Sequence, residues 1–172
     1  MSLVGRIAQI SISGGGVPKL RVEEARVTVT GLEGDAHRNL AHHGGPDRAV
    51  CLYSSEALHE LAAEGHAVQP GTLGENVTVE KIDWATLTPG TYVALGNSVV
   101  LQVTRYTTPC FKIAAAFRHG DVSRVSQKRR PGWSRVYARV VVEGRIRSGD
   151  VVRVLDERTV AAQPEEVSDR AW

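Results

Sequence analysis

The strongest constraint on this chain is a recurrence of short β-type segments, each closed off by turn residues. Apolar alternation or a compact apolar run occupies 4–12, 25–30, 49–53, 76–79, 91–95, 98–103, 135–142 and 151–155. Runs of this kind fit the two-residue period of a strand with one buried face. Gly96-Asn97 between two of them is a tight hairpin signal, and Gly149-Asp150 precedes the last. The spacing predicts a mainly β fold, a barrel or a sandwich. The first run alternates imperfectly, with Ile7 and Ile12 out of step.

Helices are expected to be few and short. Ser54-Ser55 offers an N-cap, Leu58, Leu61 and Ala62 mark one face, and Gly65 supplies a stop. A second helix is expected from Thr108-Pro109, with Thr108 capping, Pro109 at the first helical position, and Ile113, Ala114 and Phe117 facing inward. Cys110 then falls in its first turn. A third short helix or turn is expected over 121–128, ended by Pro131-Gly132. The reading assigns one domain to 1–155 and a polar, loosely held tail to 156–172.

At 172 residues, 42% apolar and 23% charged, the chain has the composition of one globular domain. Met1-Ser2-Leu3-Val4-Gly5-Arg6 lacks a long apolar region, so no signal peptide is expected. No run of about 18 apolar residues is available to span a bilayer. The expected address is the cytoplasm, where the two cysteines, Cys51 and Cys110, stay reduced.

Net charge is only +2, but 118–153 holds ten basic residues against Asp121, Glu143 and Asp150. Nucleic acid is disfavoured as the partner, because no reading module and little aromatic interleaving accompany the charge. A pocket for a phosphate-bearing small molecule explains it equally well.

Cys110 is the chemically legible thiol. In Thr107-Thr108-Pro109-Cys110-Phe111-Lys112 it would meet the free N–H groups of a helix start, which favour an anion. Lys112 and Arg105 would add positive charge. Such a thiolate serves as nucleophile, sulfur carrier or soft-metal ligand. A small buried hydrophobe is the competing reading, and it is the preferred one for Cys51 between Val50 and Leu52.

Between two predicted strands, 31–48 crowds Asp35, His37, Arg38, His42, His43, Gly44, Asp47 and Arg48 into one connection. A plain connection needs about four to six residues. Its glycines suit close backbone approach to a ligand, and its cations can donate to phosphate or carbonyl oxygens. A closed zinc site is disfavoured, because the histidine spacing is not helix-borne and no cysteine lies close in sequence. Gly14-Gly15-Gly16-Val17-Pro18-Lys19 lacks the spacing and ending of a phosphate-binding P-loop, which excludes nucleotide hydrolysis. In Gly71-Thr72-Leu73-Gly74-Glu75-Asn76, Asn76 could bond a heterocycle or close the turn. Trp133 beside Arg135 could stack on a flat ligand or simply pack.

GLEGDAHR from Gly31, the HHGGPDRAV stretch ending at Val50, PGTLGENVTV from Pro70, TTPC ending at Cys110, PGWSRVYARV from Pro131 and GDVVRV from Gly149 together resemble the MOSC domain. That family is named for the C-terminal part of molybdenum cofactor sulfurases. The resemblance runs from about Val4 to Leu155 and points to the short stand-alone bacterial branch, which includes proteins protecting cells against N-hydroxylated bases.

The resemblance implies a MOSC-type, pyruvate-kinase-like β-barrel with a few short helices and one essential cysteine, here Cys110, binding molybdenum. The metal's other sulfurs come from a pterin dithiolene that carries a phosphate. It implies cofactor-binding roles for Lys19, Asp35, His37, Arg38, His43, Gly44, Asp47, Arg48, Asn76, Thr108, Lys112, Trp133 and Arg135. The activity implied is reduction of small N-hydroxylated compounds. Because no four-cysteine pattern exists for an iron–sulfur cluster, electrons are expected from a separate donor protein. Two other readings stay open. Cys110 could hold a persulfide received from a desulfurase, or the chain could be a non-catalytic cofactor-binding module.

Overall fold

The fold is that of a computed structural model, which describes residues 2–36, 45–156 and 160. The elements that organise the described residues are β1 Val4–Ile12, β2 Leu20–Val22, β3 Glu24–Thr28, β4 Gly31–Leu32, β5 Val50–Ser54, α1 Ser55–Ala63, β6 Val77–Glu80, β7 Tyr92–Leu95, β8 Val99–Tyr106, β9 Val136–Val142, β10 Gly144–Arg147 and β11 Val151–Leu155. Strand order β11-β7-β8-β9-β5-β6-β1 closes through pairing of β1 with β11, giving a seven-stranded barrel with β2 attached to β1. All of its pairs are antiparallel except β5 with β6. Closure leaves no open edge within the seven strands.

The barrel decides between the two architectures expected, and particular residues account for it. Ile7 and Ile10, three apart, are both fully buried. A register shift between Ile7 and Gln9 in the pairing with β6 restores both to the interior, which is why the sequence alternates imperfectly there. β5 is buried at all five positions. It lies between β6 and β9, and its two faces meet different cores, since Leu52 packs inside the barrel and Tyr53 joins a second cluster outside it. That double burial explains an apolar run without alternation.

The sequence reading missed β2, β4 and β10. Each is short, and β10 has a single buried residue, Ile146. β10, β3 and β4 form a separate three-stranded sheet beside the barrel.

Ser54 caps α1 by accepting the Ala57 N–H at 3.1 Å, and Gly65 (φ +96°) follows its end, as the cap and stop residues predict. Leu58 and Leu61 of α1 pack with Tyr53, Leu73, Ile113, Phe117 and Val125 into the second cluster. This cluster seats a cap made of three short 3-10 helices, Phe111–Ala116, Arg118–Gly120 and Val122–Val125. The last is the short element expected over 121–128, capped by the Asp121 carboxylate accepting from Ser123 N–H.

The helix expected from Thr108 differs from what forms. Cys110 is extended (φ −124°, ψ 168°) and precedes the first helical residue, Phe111, and Thr108 is exposed without capping it. The chain turns extended again at Phe117, so only six residues coil, with Ile113 N–H bonding Cys110 C=O at i→i+3. Of the tail expected over 156–172, all but residues 156 and 160 lie outside the described residues. No described helix is long and apolar enough to cross a membrane.

Candidate functional site

Registers Ile10↔Val77 and Tyr106↔Val136 bring the exit of β1, the entry of β6, the exit of β8 and the entry of β9 to one rim of the barrel. A pocket opens there, beneath the 3-10 cap. It is lined by Lys19, Arg48, Cys51, Asn76, Thr108, Cys110, Lys112, Arg135 and Tyr137, with Gly16, Val17, Ala36, Leu73, Gly74 and Ile113 completing the wall.

Charge is the first property of this wall. Lys19, Arg48, Lys112 and Arg135 face the pocket and, among the described residues, no carboxylate lines it. Lys19 Nζ is held 2.6 Å from Asp35 Oδ1, both side chains nearly buried at 7% and 2% exposure. Asp35 Oδ1 also accepts the Ser13 N–H at 2.9 Å. Such pairing offsets the cost of burying either side chain alone. Arg135 is buried, donates from Nη1 to the Leu73 carbonyl, and has an Nε with no hydrogen-bond partner among the described residues. An unpartnered guanidinium nitrogen in a pocket wall suits an incoming acceptor. The Arg48 guanidinium carbon lies 5.9 Å from the Tyr137 ring centroid.

Asn76 organises the floor. Its Nδ2 donates to Asp35 Oδ2 (2.9 Å) and Ser11 O (3.2 Å), its Oδ1 accepts the Cys51 N–H (3.1 Å), and its backbone N–H and C=O pair with Cys51 O and Ser11 N–H. The side chain thus joins β5, β1 and the Lys19–Asp35 pair. Of the two roles open in the sequence, closing the turn is the one this geometry serves, since both amide hydrogens are engaged. Glu75 beside it is fully buried, accepts the Gly71 N–H on Oε1 and has an Oε2 with no partner among the described residues. Burial pushes its carboxyl above the usual carboxylate range. Gly71 C=O in turn accepts the Lys19 N–H, so Glu75 steadies the segment that delivers Lys19.

The two cysteines differ in setting. Cys110 is half-buried and Cys51 is buried. Burial pushes the Cys51 thiol up to about 12, which keeps its proton on and its nucleophilicity low. Tyr137 is likewise pushed up to about 12, again by burial first. Cys51 and Tyr137 are direct cross-strand partners between β5 and β9.

Seven residues singled out from sequence meet in the wall: Lys19, Arg48, Asn76, Thr108, Cys110, Lys112 and Arg135. Asp35 lies behind it, holding Lys19 and Asn76. Asp47 does not join them; its side chain is 71% exposed, 4.0 Å from Arg139. Trp133 does not either: its ring packs on the second cluster under Arg124, whose Cζ is 3.7 Å from the ring centroid. Packing is therefore the geometry of Trp133. Arg105 is exposed and outside the wall. His37, Arg38, His43 and Gly44, with His42, lie outside the described residues. Among the described residues no group of three His, Cys, Asp or Glu is placed to hold a metal ion. Sequence reasoning read Cys51 as a small buried hydrophobe, which its burial bears out, and passed over Tyr137. Tyr137 follows Arg135 by two in a strand and so shares its face, a signal that was available.

A closed small barrel with a half-buried thiol in a cation-lined rim pocket defines the class. The MOSC domain family model matches residues 39–153, and the chain belongs to that family. It is 34% identical to YflK of Bacillus subtilis over 137 residues, covering 77% of this chain and 60% of YflK. It is 30% identical over 134 residues to a protein named Reductase of Gibberella moniliformis, covering 75% of this chain but only 23% of that much longer protein. Among solved structures, YiiM of Geobacillus stearothermophilus superposes with a TM-score of 0.69 at 23% identity, over 88% of this chain and 75% of that one. That likeness establishes the fold.

Proposed function

We propose that this chain binds the molybdenum cofactor, with Cys110 as the thiolate ligand to molybdenum, and serves as the reductase component for small N-hydroxylated compounds. One observation carries the reading: a half-buried cysteine shares its pocket with four cations and no lining carboxylate among the described residues. The donor set fits the group. A thiolate suits a soft metal centre, and Lys19, Arg48, Lys112 and Arg135 suit a phosphate and the oxygens of a pterin. Arg135 Nε, which has no hydrogen-bond partner among the described residues, suits an incoming acceptor. His37, Arg38, His43 and Gly44 would supply further donors. A relative bearing the name Reductase supports a redox role.

When bound, the cofactor would supply a two-electron centre. The overall change takes an N–OH compound, two electrons and two protons to the N–H compound and water, the N–O bond breaking and oxygen leaving as water. The electrons come from a separate donor protein. The chain's own residues orient and neutralise: Asp35 and Asn76 hold Lys19 toward the anion, and Cys51 and Tyr137 keep their protons at neutral pH and add no competing negative charge.

Elemental analysis and intact mass of wild type and Cys110→Ala, each purified from a cofactor-making host, test this. Stoichiometric molybdenum that disappears on substitution is expected. Equal molybdenum in both proteins removes Cys110 as ligand. A wild type that gains the mass of one sulfur and holds no molybdenum transfers the assignment to a persulfide carrier.

A further inference from the structure

The segment from Thr104 to Arg135, which contains Cys110 and the 3-10 cap, holds eight Lys or Arg and a single acid, Asp121. Three of the eight are accounted for locally. Arg124 makes a bidentate pair with Glu64 (Nε–Oε2 2.8 Å, Nη2–Oε1 2.6 Å), and Lys112 and Arg135 belong to the pocket. Arg105, Arg118, Lys128, Arg129 and Arg130 are exposed, and none forms an ion pair among the described residues. Asp121 does little to offset them, because its carboxylate caps the next helix through the Ser123 N–H and hydroxyl.

Within this cationic surface one large apolar side chain stands in solvent. Phe111 is 81% exposed, the most exposed large hydrophobic residue described, and it directly follows Cys110. Its neighbours in the same short helix behave differently: Ile113 turns into the second cluster and Lys112 into the pocket wall. Lys128, Arg129 and Arg130 sit in a compact turn fixed by Arg130 N–H to Ser126 O (2.7 Å), Gly132 N–H to Gln127 Oε1 (3.0 Å) and Trp133 N–H to Arg130 O (3.2 Å). Trp133 packs on the same cluster as Ile113 and Phe117. The basic turn and the Phe111 helix are thus two parts of one cap rather than separate tails.

An exposed aromatic on the same cap as exposed cations that form no ion pair among the described residues has the makeup of a protein docking face, an apolar anchor accompanied by charge. The charges fix the sign of the partner. Four like charges on one cap, Arg118, Lys128, Arg129 and Arg130, repel one another and gain most from a surface rich in Asp and Glu, and their summed field speeds encounter with it. The position fixes what such a partner does there, since contact at Phe111 sets it one residue from the thiol.

We infer that the cap around Phe111 is the docking face for an acidic redox protein, which delivers to the Cys110 site the two electrons that N–O cleavage consumes. The inference rests on the reductase reading for the purpose of docking, but the face itself is tested without it. DNA and anionic membranes are rival occupants of a cationic surface; the exposed Phe111 beside the thiol and the lack of base-stacking aromatics in the basic turn favour a protein.

The experiment uses the full chain, a purified acidic flavodoxin-type flavoprotein as probe, and two variants outside the pocket, Phe111→Ser and the triple change Lys128→Glu, Arg129→Glu, Arg130→Glu. Binding is followed by amide chemical-shift perturbation and by Kd at low and high ionic strength. Shifts centred on Phe111 and the basic turn are expected, with Kd weakened at least about tenfold by the triple variant and again by salt. Turnover is measured in parallel on molybdenum-loaded protein, with the reduced flavoprotein or with a small viologen dye as reductant. Both variants should lose at least about tenfold with the flavoprotein and match wild type with the dye. No binding of the probe, binding unaffected by the variants, or tighter capture of a DNA duplex or anionic vesicle through the same residues overturns the proposal. Absence of turnover by loaded wild type with the dye refutes the reductase reading instead, and the binding measurements still decide the face.

Discussion

Truncating Asn76 to alanine is the sharpest test of how the pocket is built. The side chain is 1% exposed and makes three hydrogen bonds, to Asp35, Ser11 O and Cys51 N–H. Removal deletes a bond to a charged carboxylate, worth about 1.5–3 kcal/mol, and strands the Cys51 N–H and Ser11 C=O at about 1–3 kcal/mol each. Water entering from the adjoining pocket would satisfy part of that deficit, so the expected loss is near the lower bound, about 3–4 kcal/mol. Set against a total stability of about 5–15 kcal/mol, this is a large fraction. For a chain of this length it corresponds to a fall in Tm of roughly 10 °C. Urea unfolding followed by circular dichroism, with the slope m compared between wild type and variant, measures it directly. Asn76→Asp should fare no better at neutral pH, because it places a second carboxylate against Asp35, and should recover on acidification. A loss under about 1 kcal/mol for Asn76→Ala would refute the claim that this amide ties the strands together.

Burial raises the Glu75 carboxyl above its ordinary 4.5. The native state then keeps a proton that the unfolded chain releases, so stability present below about pH 4.5 declines as pH rises through the native value. Glu75→Gln should abolish that decline in urea unfolding series across pH 4–8, and parallel profiles for the two proteins would argue against a buried neutral acid. Iodoacetamide at neutral pH should modify Cys110 in the native protein and spare Cys51, which is 5% exposed with its thiol near 12, until the chain unfolds; peptide mass spectrometry reads this, and equal rates would contradict the burial. Gly71→Ala should destabilise by at least about 3 kcal/mol, because Gly71 has φ +90° and a Cβ there would lie 2.2 Å from Lys19 O. An unchanged Tm would mean that the Gly71–Lys19 approach is not a constraint.

Strand positions were legible because burial on one face leaves a period in the residues themselves. All eight expected runs became strands, and Ser54 and Gly65 marked both ends of α1. The short strands β2, β4 and β10 left no such trace, since their place depends on partners far along the chain, as with Gly144↔Val27. The cap shows the limit of local propensity. Thr-Pro followed by an Ala-rich stretch reads as a helix start, yet burial of Ile113 and Phe117 on the second cluster shortens it to six residues and shifts its start past Cys110. Within the site, cations and the half-buried thiol could be picked out by residue type. The burial of Cys51 was legible from Val50 and Leu52, and the face of Tyr137 from Arg135; their pairing across β5 and β9, and the enclosure of Glu75, were not, because neither is written in the neighbouring residues.

The cations of the pocket and those of the cap act at different ranges, and that difference ties the two proposals to one electrostatic design. Lys19 and Arg135 are buried, at 8% and 7% exposure, so their attraction for an anion is poorly screened and short in reach. Lys128, Arg129 and Arg130 are exposed, so salt damps their field within about 8 Å at physiological ionic strength. A ligand in the pocket should therefore stay bound as salt rises, while a partner on the cap should leave. A reductase component needs both behaviours, since its cofactor must remain through many turnovers and its electron donor must depart after each delivery.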